Sequence, residues 1–486
     1  MSGRALRSVS RLSALLVAGC TAGCIVPVQL AVDDTLGETS RFAGSGDAAP
    51  SQCTALGDAP LQSLIASAFE ESPTLAQSWA RLSQARAASR AEQGSLLPSL
   101  SLSAQHSDSS GDGGGSAAGG APPPTGSAAG GSSDWQATAA ASYELDFWGR
   151  LDSRREAARL SARAAEADLR TATISLAADI ATAWAEWVTA ARRVATLEAQ
   201  YGDARSLERL QALRFANGQS DALALSQARE QAAGVSAQLA DARGGVDVAR
   251  LRLNLLLGRA PDDDRLPAPP DALPEPGPLP AAGLPSELLD NRPDLRAAWL
   301  RLQAADAQAA AAAAERWPRL TLSASLFTQA EAFGDLFDRT IRQIAAALDW
   351  SLFQGGALAA RQDEAEALAV ERLYALEQAW LEALREVQAA LDSERAAGER
   401  IAGLETRLGH ARERLTQARR SYAQGQRAYL EVLSAQQAVN SAELEALSAR
   451  NARFVQRVNL CRGLAANVAG TPPAPERLRS EKEEAS

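Results

Sequence analysis

Methionine occurs once in the 486 residues, as Met1, and histidine twice, as His106 and His410. A single thioether argues against a relay of soft-metal ligands through the chain. Neither histidine has a ligand-spaced neighbour, so no histidine-based metal or acid–base site is drawn. Lys and Arg (49) are outnumbered by Asp and Glu (59), giving a formal charge of −10. No basic cluster interleaved with aromatics occurs, which argues against nucleic-acid binding. The glycine-rich run at 111–120 lacks the Gly-Lys-Ser/Thr of a phosphate loop. Asp262-Asp263-Asp264 lies among prolines without calcium-loop spacing. No catalytic constellation and no cofactor motif remain, so the chain reads as a non-enzyme without metal or cofactor.

Long apolar runs are also missing. The N-terminus carries Arg4, Arg7 and Arg11 and then a short apolar stretch, Leu12–Ala18. That is a targeting segment, too short to span a bilayer. It ends in Leu16-Val-Ala-Gly-Cys20, which resembles a bacterial lipobox with Cys20 as the acylated residue. Residues 1–19 are therefore expected to be removed, and Thr21 after the cysteine suggests outer-membrane delivery. Cys24, Cys53 and Cys461 remain. The periplasm permits a disulfide, connectivity is not readable, and Cys461 lies on a helical apolar stripe as a small core residue.

What is present is a long-period repeat. Tyr143-Glu-Leu-Asp-Phe-Trp-Gly149 ends an alternating stretch and opens a long helical run, and Leu348-Asp-Trp-Ser-Leu-Phe-Gln-Gly355 does the same. Phe147 and Phe353 stand 206 apart, as do Gly149 and Gly355. About 70 residues further on, each run breaks at a second glycine, Gly218 or Gly425. Such a repeat dictates architecture before residue chemistry does. Its unit is two short strands followed by a helical hairpin.

Four segments alternate with period two: 98–106, 135–148, 319–327 and 344–353. Leu100, Leu102 and Ala104 share one face of the first, against Ser99, Ser101 and Ser103. Ile344, Ala346, Leu348, Trp350 and Leu352 share one face of the last. Apolar-out alternation with aromatics near the strand ends is the pattern of an outer-membrane β-barrel. Four strands cannot close a barrel, and an open edge is not tolerated in lipid. The barrel must therefore be shared between chains in a symmetric ring.

The helical runs 150–216 and 357–423 each imply a rod ~100 Å long at 1.5 Å per residue. The return arms carry apolar positions spaced three and four apart, such as Leu225, Ala228, Ala232, Val235, Leu239 and Ala242. That is a coiled-coil seam. Along the chain the expected order is an N-terminal anchor segment (20–60) and a first repeat (61–257, hairpin 150–257). A Pro-rich connector (258–285), a second repeat (286–468, hairpin 357–468) and a disordered tail (469–486) follow.

In this order and spacing, Leu96-Leu-Pro98-Ser-Leu, Tyr143-Glu-Leu-Asp-Phe-Trp-Gly-Arg150, Arg214-Phe-Ala-Asn-Gly-Gln-Ser220, Asn291-Arg-Pro-Asp-Leu295, Leu352-Phe-Gln-Gly-Gly356 and Tyr422-Ala-Gln-Gly425 resemble the TolC-like outer membrane efflux proteins, lipidated branch. The resemblance implies an α+β membrane protein. Three chains would form a twelve-stranded outer-membrane barrel, four strands each, joined to a periplasmic coiled-coil tunnel. It implies a homotrimer, lipid-anchored in the outer membrane and reaching into the periplasm. A periplasmic adaptor (membrane fusion) protein and an inner-membrane resistance-nodulation-division pump would complete it. The duct itself would be a passive exit for drugs or other small molecules. By the same resemblance Arg214, Phe215, Gly218 and Gly425 mark the adaptor-docking tips. Tyr422, Arg427, Leu430, Glu431 and Asp221 are the periplasmic gate candidates, with Ser434 and Ala224 where many members carry acids. Read without the family, Arg427 and Glu431 are an ordinary i,i+4 helix pair. The alternatives are an exit duct for secreted polypeptides and a lipid-anchored coiled-coil scaffold without a pore.

Overall fold

The computed structural model describes residues 59–109, 132–280 and 287–465. Cys20, the leader and the C-terminal tail lie outside the described residues. The chain divides into two compact units.

The first unit comprises residues 85–162 and 300–373 among those described. Its sheet holds β1 (Ser99–Ser109), β2 (Ser132–Leu145), β3 (Arg319–Ala330) and β4 (Thr340–Asp349). All neighbours are antiparallel in the order β1-β2-β3-β4, which leaves β1 and β4 as open edges. The register keeps the alternation in phase across the sheet. Leu100 faces Ala141, Ala141 faces Ala324, and Ala324 faces Ile344. Leu100 and Leu102 are each 81% exposed and Ile344 is 87% exposed, so among the described residues no layer of this unit covers the apolar face there. Leu145 faces Leu320 and Leu320 faces Leu348 lower on the same face.

The strand ends differ from the sequence expectation. The segment expected at 135–148 stops at Leu145 because Asp146 leaves the ladder: its carboxylate accepts from the Asp152 backbone N–H at 2.8 Å, capping the next helix. The strand expected at 344–353 runs instead from Thr340 to Asp349. Asp349 pairs with Arg319, the residue after Pro318, where β3 begins. A proline has no N–H to extend the ladder. Trp350 then donates its indole N–H to the Arg316 carbonyl at 3.2 Å. At the other end, pairing extends β1 to Ser109 and β3 to Ala330, beyond 106 and 327.

The second unit comprises residues 59–84, 163–299 and 374–465 among those described. The helices in chain order are α1 (Ala59–Glu71), α2 (Pro73–Gly94), α3 (Arg150–Ala216), α4 (Ala222–Leu256), α5 (Glu287–Asn291), α6 (Pro293–Ala314), α7 (Ala357–Ala423) and α8 (Tyr429–Gly463). Alanine, leucine, arginine and glutamate favour helix, and no Pro interrupts α3 or α7. None of these helices is long and apolar enough to cross a membrane.

The repeat has two offsets rather than the single 206 read from its glycines. Helices α3 and α7 have 67 residues each, and α4 and α8 have 35 each. Their first residues, Arg150 with Ala357 and Ala222 with Tyr429, stand 207 apart. Upstream, α2 and α6 have 22 residues each and start at Pro73 and Pro293, 220 apart. The change arises between the strands of each pair: 22 positions (110–131) separate β1 from β2, and nine (331–339) separate β3 from β4.

The main core of the second unit gathers Leu61, Leu64 and Ile65 of α1, Leu75 and Leu82 of α2, Ile180 and Trp184 of α3, Leu253 of α4, and Phe454, Val458 and Cys461 of α8. Trp184 and Phe454 are fully buried, with ring centroids 5.9 Å apart. Cys461 is buried as expected, but it is also disulfide-bonded. The other three cysteines lie outside the described residues.

Two polar clusters sit within this packing. Arg457 and Glu394, 1% and 2% exposed, form a bidentate ion pair. Arg457 also donates to the carbonyls of Pro278 (3.0 Å) and Gly277 (2.9 Å), tying the Pro-rich connector to α8. Arg292 of the Asn291-Arg-Pro-Asp motif pairs with Asp294 at 2.6 Å and Glu386 at 3.0 Å, and donates to the Gly463 carbonyl at 3.3 Å. Burial acts to raise the Asp294 carboxyl, but hydrogen bonding and charge from Arg292 outweigh it and hold it below its ordinary value.

Candidate functional site: the hairpin tips

The two turns of the second unit are built alike. Helix α3 ends in a Schellman closure: Gln219 N–H donates to the Arg214 carbonyl at 2.8 Å and Gly218 N–H to the Phe215 carbonyl at 3.0 Å. In α7, Gln426 N–H donates to the Ser421 carbonyl at 2.9 Å and Gly425 N–H to the Tyr422 carbonyl at 3.0 Å. The closing residue is left-handed in both, with φ of 71° at Gly218 and 70° at Gly425, a conformation that a Cβ opposes.

The 207 offset shows where the tips differ. Tyr422 stands at the place of Phe215, Arg427 at that of Ser220, Leu430 at that of Leu223, and Glu431 at that of Ala224. Asp221 caps α4, accepting from the Ala224 N–H at 2.7 Å. The second tip has Ala428 in that role and no side-chain cap. Phe215 is 45% exposed and Leu430 56% exposed, beside exposed Leu213 and Leu223.

Tyr422 joins the two hairpins close to their tips. Its hydroxyl accepts from the Gln211 amide N–H at 2.8 Å. Gln211 is fully buried, and its carbonyl oxygen accepts from Ser220 at 3.0 Å. The Arg214 guanidinium lies over the Tyr422 ring, 4.6 Å from the centroid, in cation–π geometry. On its other flank Tyr422 meets Tyr429 at 6.0 Å between centroids. Tyr429 is buried with Leu433 and Ala228, and burial, then the Tyr422 neighbour, raises its hydroxyl pKa.

The remaining gate candidates form a separate group. Arg427 pairs with Glu431 at 3.0 Å on the exposed surface of the second tip. Ser434 accepts from Arg414 at 3.1 Å. Arg419 spans to Asp203 of the first hairpin at 3.3 Å and also donates to Gln436 of its own hairpin at 2.6 Å. The structure thus joins Tyr422 to Arg214, which the resemblance had placed in docking, and leaves Arg427 and Glu431 to each other. Gln211, Ser220 and Tyr429 were missed in the sequence. None of them carried a periodic signal, because the chain reverses at Gly425 between Tyr422 and Tyr429.

Among the described residues no group of His, Cys, Asp or Glu is arranged to hold a metal ion. The tips hold hydrogen bonds, ion pairs and one cation–π contact. Such an arrangement holds helix ends in place.

An open four-stranded sheet, apolar on one uncovered face, joined in one chain to paired coiled-coil hairpins, defines a subunit of an outer-membrane channel with a periplasmic helical tunnel. The chain belongs to the outer membrane efflux protein family, whose model matches residues 64–259 and 284–466. It is 30% identical over 468 residues to the pyoverdine export outer membrane protein OpmQ of Pseudomonas aeruginosa, covering 94% of this chain and 96% of that protein. It is 28% identical to the toluene efflux pump outer membrane protein TtgF of Pseudomonas putida, covering 84% and 83%. Among solved structures, it superimposes on the open state of the MtrE outer membrane channel of Neisseria gonorrhoeae with a TM-score of 0.78 at 28% identity, covering 89% of this chain and 96% of that one. The outer-membrane channel OprN gives 0.78 at 25% identity, covering 90% and 96%. The protein is an outer-membrane channel subunit of an efflux system, contributing four strands to a trimeric barrel.

Proposed function

We propose that this channel is the passive exit duct of a tripartite small-molecule pump, closed at its hairpin tips by the Tyr422 cluster and docked there by a periplasmic adaptor. A proton-driven resistance-nodulation-division pump in the inner membrane supplies the cargo. The observation that carries the gate is the junction at Tyr422. One side chain of the second hairpin is held by Gln211 and Arg214 of the first, so separating the hairpins must break both contacts. Arg427 and Glu431 add a solvent-screened clasp on the second tip alone. The exposed apolar residues Leu213, Phe215, Leu223 and Leu430 offer the adaptor a surface at both tips. The relatives' names span pyoverdine, toluene and cations, which supports a duct whose choice of cargo lies with the pump.

Anchoring rests on the lipobox-like sequence ending at Cys20. Palmitate labelling of the wild-type chain, lost in Cys20→Ala, is the expected result; label retained by that variant would move the anchor to Cys24. For the gate, single-channel conductance in planar bilayers is the test. Tyr422→Ala should raise conductance or open probability, and Arg427→Ala with Glu431→Ala should raise it less. Wild-type conductance in Tyr422→Ala would remove the gate from this cluster.

A further inference from the structure

The sheet ends in two unpaired edges, and the internal repeat specifies how they meet. We infer that β4 of one copy pairs antiparallel with β1 of the neighbouring copy in a single register, with Leu348 facing Ala104, Ala346 facing His106 and Ile344 facing Asp108. This rests on the reading of the sheet as one third of a trimeric barrel.

The two offsets fix this register. Residues of β3 correspond to those of β1 at 220: α2 and α6 have equal lengths at that offset, and β1 and β3 begin at Ser99 and Arg319. Residues of β4 correspond to those of β2 at 207. Ser99 pairs with Ser142 and Arg319 with Asp349, so the partner moves by 207 as the strand moves by 220. The pairing of β2 with β3 is the one pairing between repeat units inside the chain, and it places Leu145 opposite Leu320. The pairing of β4 with the next copy's β1 is the same junction one repeat later. The β2–β3 pairing also sets Ala141 opposite Ala324; adding 207 to Ala141 gives Leu348, and subtracting 220 from Ala324 gives Ala104.

Two features of the side chains agree with this register, and neither was used to obtain it. A slip by one residue would set the apolar face of one strand against the polar face of the other. The derived register pairs even with even, and those positions are the apolar face on both edges: Leu100, Leu102 and Ala104 on β1, and Ile344, Ala346 and Leu348 on β4. The second is charge. Asp108 and Arg342 sit near the outer ends of the two edge strands, on the apolar face. Among the described residues neither has an ion-pair partner in its own chain. The register sets Ile344 opposite Asp108, so Arg342 becomes its diagonal neighbour, within reach of a long side chain. Each seam thus neutralises the two charges that would otherwise stand alone on the lipid-facing side.

Double-cysteine crosslinking of the full chain in its trimer tests this. Directly opposed residues in an antiparallel pair have Cα atoms about 4.5–5.5 Å apart, within disulfide range. A slip of two residues moves them to roughly 8 Å, outside it. Ala104→Cys with Leu348→Cys should give covalent dimers and trimers on a non-reducing gel after mild oxidation. The pairs slipped in either direction, Leu102→Cys with Leu348→Cys and His106→Cys with Leu348→Cys, should give about tenfold less. The parent chain sets the baseline. Leu100→Cys with Ala141→Cys, opposed within one chain, reports that oxidation reaches the sheet. Stronger crosslinking of either slipped pair overturns the register. No crosslink from any seam pair, while the within-chain pair closes and light scattering finds a trimer, overturns the seam. A parent chain that is monomeric in detergent overturns the trimer reading itself and the seam with it. Separately, Arg342→Asp should lower the temperature at which the trimer dissociates, and adding Asp108→Arg should restore it. Failure of that rescue overturns the placement of Asp108 against Arg342.

Discussion

The Tyr422 hydroxyl accepts a hydrogen bond from Gln211 at 2.8 Å, joining residues 211 positions apart on two different hairpins. Removing the hydroxyl with Tyr422→Phe leaves the amide of a fully buried glutamine short of an acceptor, a cost of about 1–3 kcal/mol. The cost should fall locally, as faster amide hydrogen exchange over 208–224 and 418–432 with the melting temperature little changed. By contrast, Arg427→Ala removes an exposed i,i+4 pair and should change stability by only ~0.5 kcal/mol or less. Equal exchange effects in the two variants would mean that the buried bond does not hold the tip.

Glu394 and Arg457 behave as one unit. Glu394→Ala strands a fully buried guanidinium that also holds the connector carbonyls. It should destabilise the helical unit by about 3–5 kcal/mol. The double replacement Glu394→Leu with Arg457→Met should recover most of that loss in thermal unfolding, because no charge is then left unpaired. A double variant as unstable as the single would show that the connector contacts, not the charge, dominate.

Gly258 and Ala465 stand at equivalent helix ends, 207 apart, both left-handed with φ of 75° and 49°. A Cβ on Gly258 would lie 2.5 Å from the Glu71 carbonyl oxygen. Backbone cannot yield as a side chain tip can, so Gly258→Ala should be severely destabilising. Ala465 already carries its Cβ in the disfavoured region, and Ala465→Gly should stabilise by about 1 kcal/mol. Paired melting curves check both signs.

Asp294 supplies a pH dependence. Its folded pKa is depressed, by Arg292 against the opposing effect of burial. Its contribution to stability is therefore complete above the ordinary aspartate value of about 3.9 and is lost as pH falls through the lower folded value. Asp294→Asn should lower the melting temperature at neutral pH and flatten the decline of stability below about pH 4. An unchanged acid limb in the variant would place that dependence elsewhere.

The local elements were largely legible. Alternation showed four strands with one apolar face, because strand side chains repeat every two residues. Helix-favouring composition without a break before Gly218 and Gly425 marked Arg150–Ala216 and Ala357–Ala423 as long helices, and apolar positions at intervals of three and four marked the return arms. The strand ends were less legible, since pairing partners and Pro318 set them. At the tips, the resemblance pointed to Tyr422, but its contacts with Gln211 and Arg214 had no sequence signature. The disulfide at Cys461 was equally silent.

By itself the sequence determined the repeat, the amphipathic strands, the helix lengths and, through them, the class of channel. Those follow from periods of two and 3.6 residues, which depend on neighbours a few positions away. Only the tertiary structure decided that the repeat has offsets of 220 and 207, that Tyr422 turns toward the first hairpin, and that Arg457 reaches Glu394 and the connector. These depend on how each helix is rotated about its own axis and where each strand finds its partner. Many weak packing contacts set them together, and no local stretch of sequence encodes that sum.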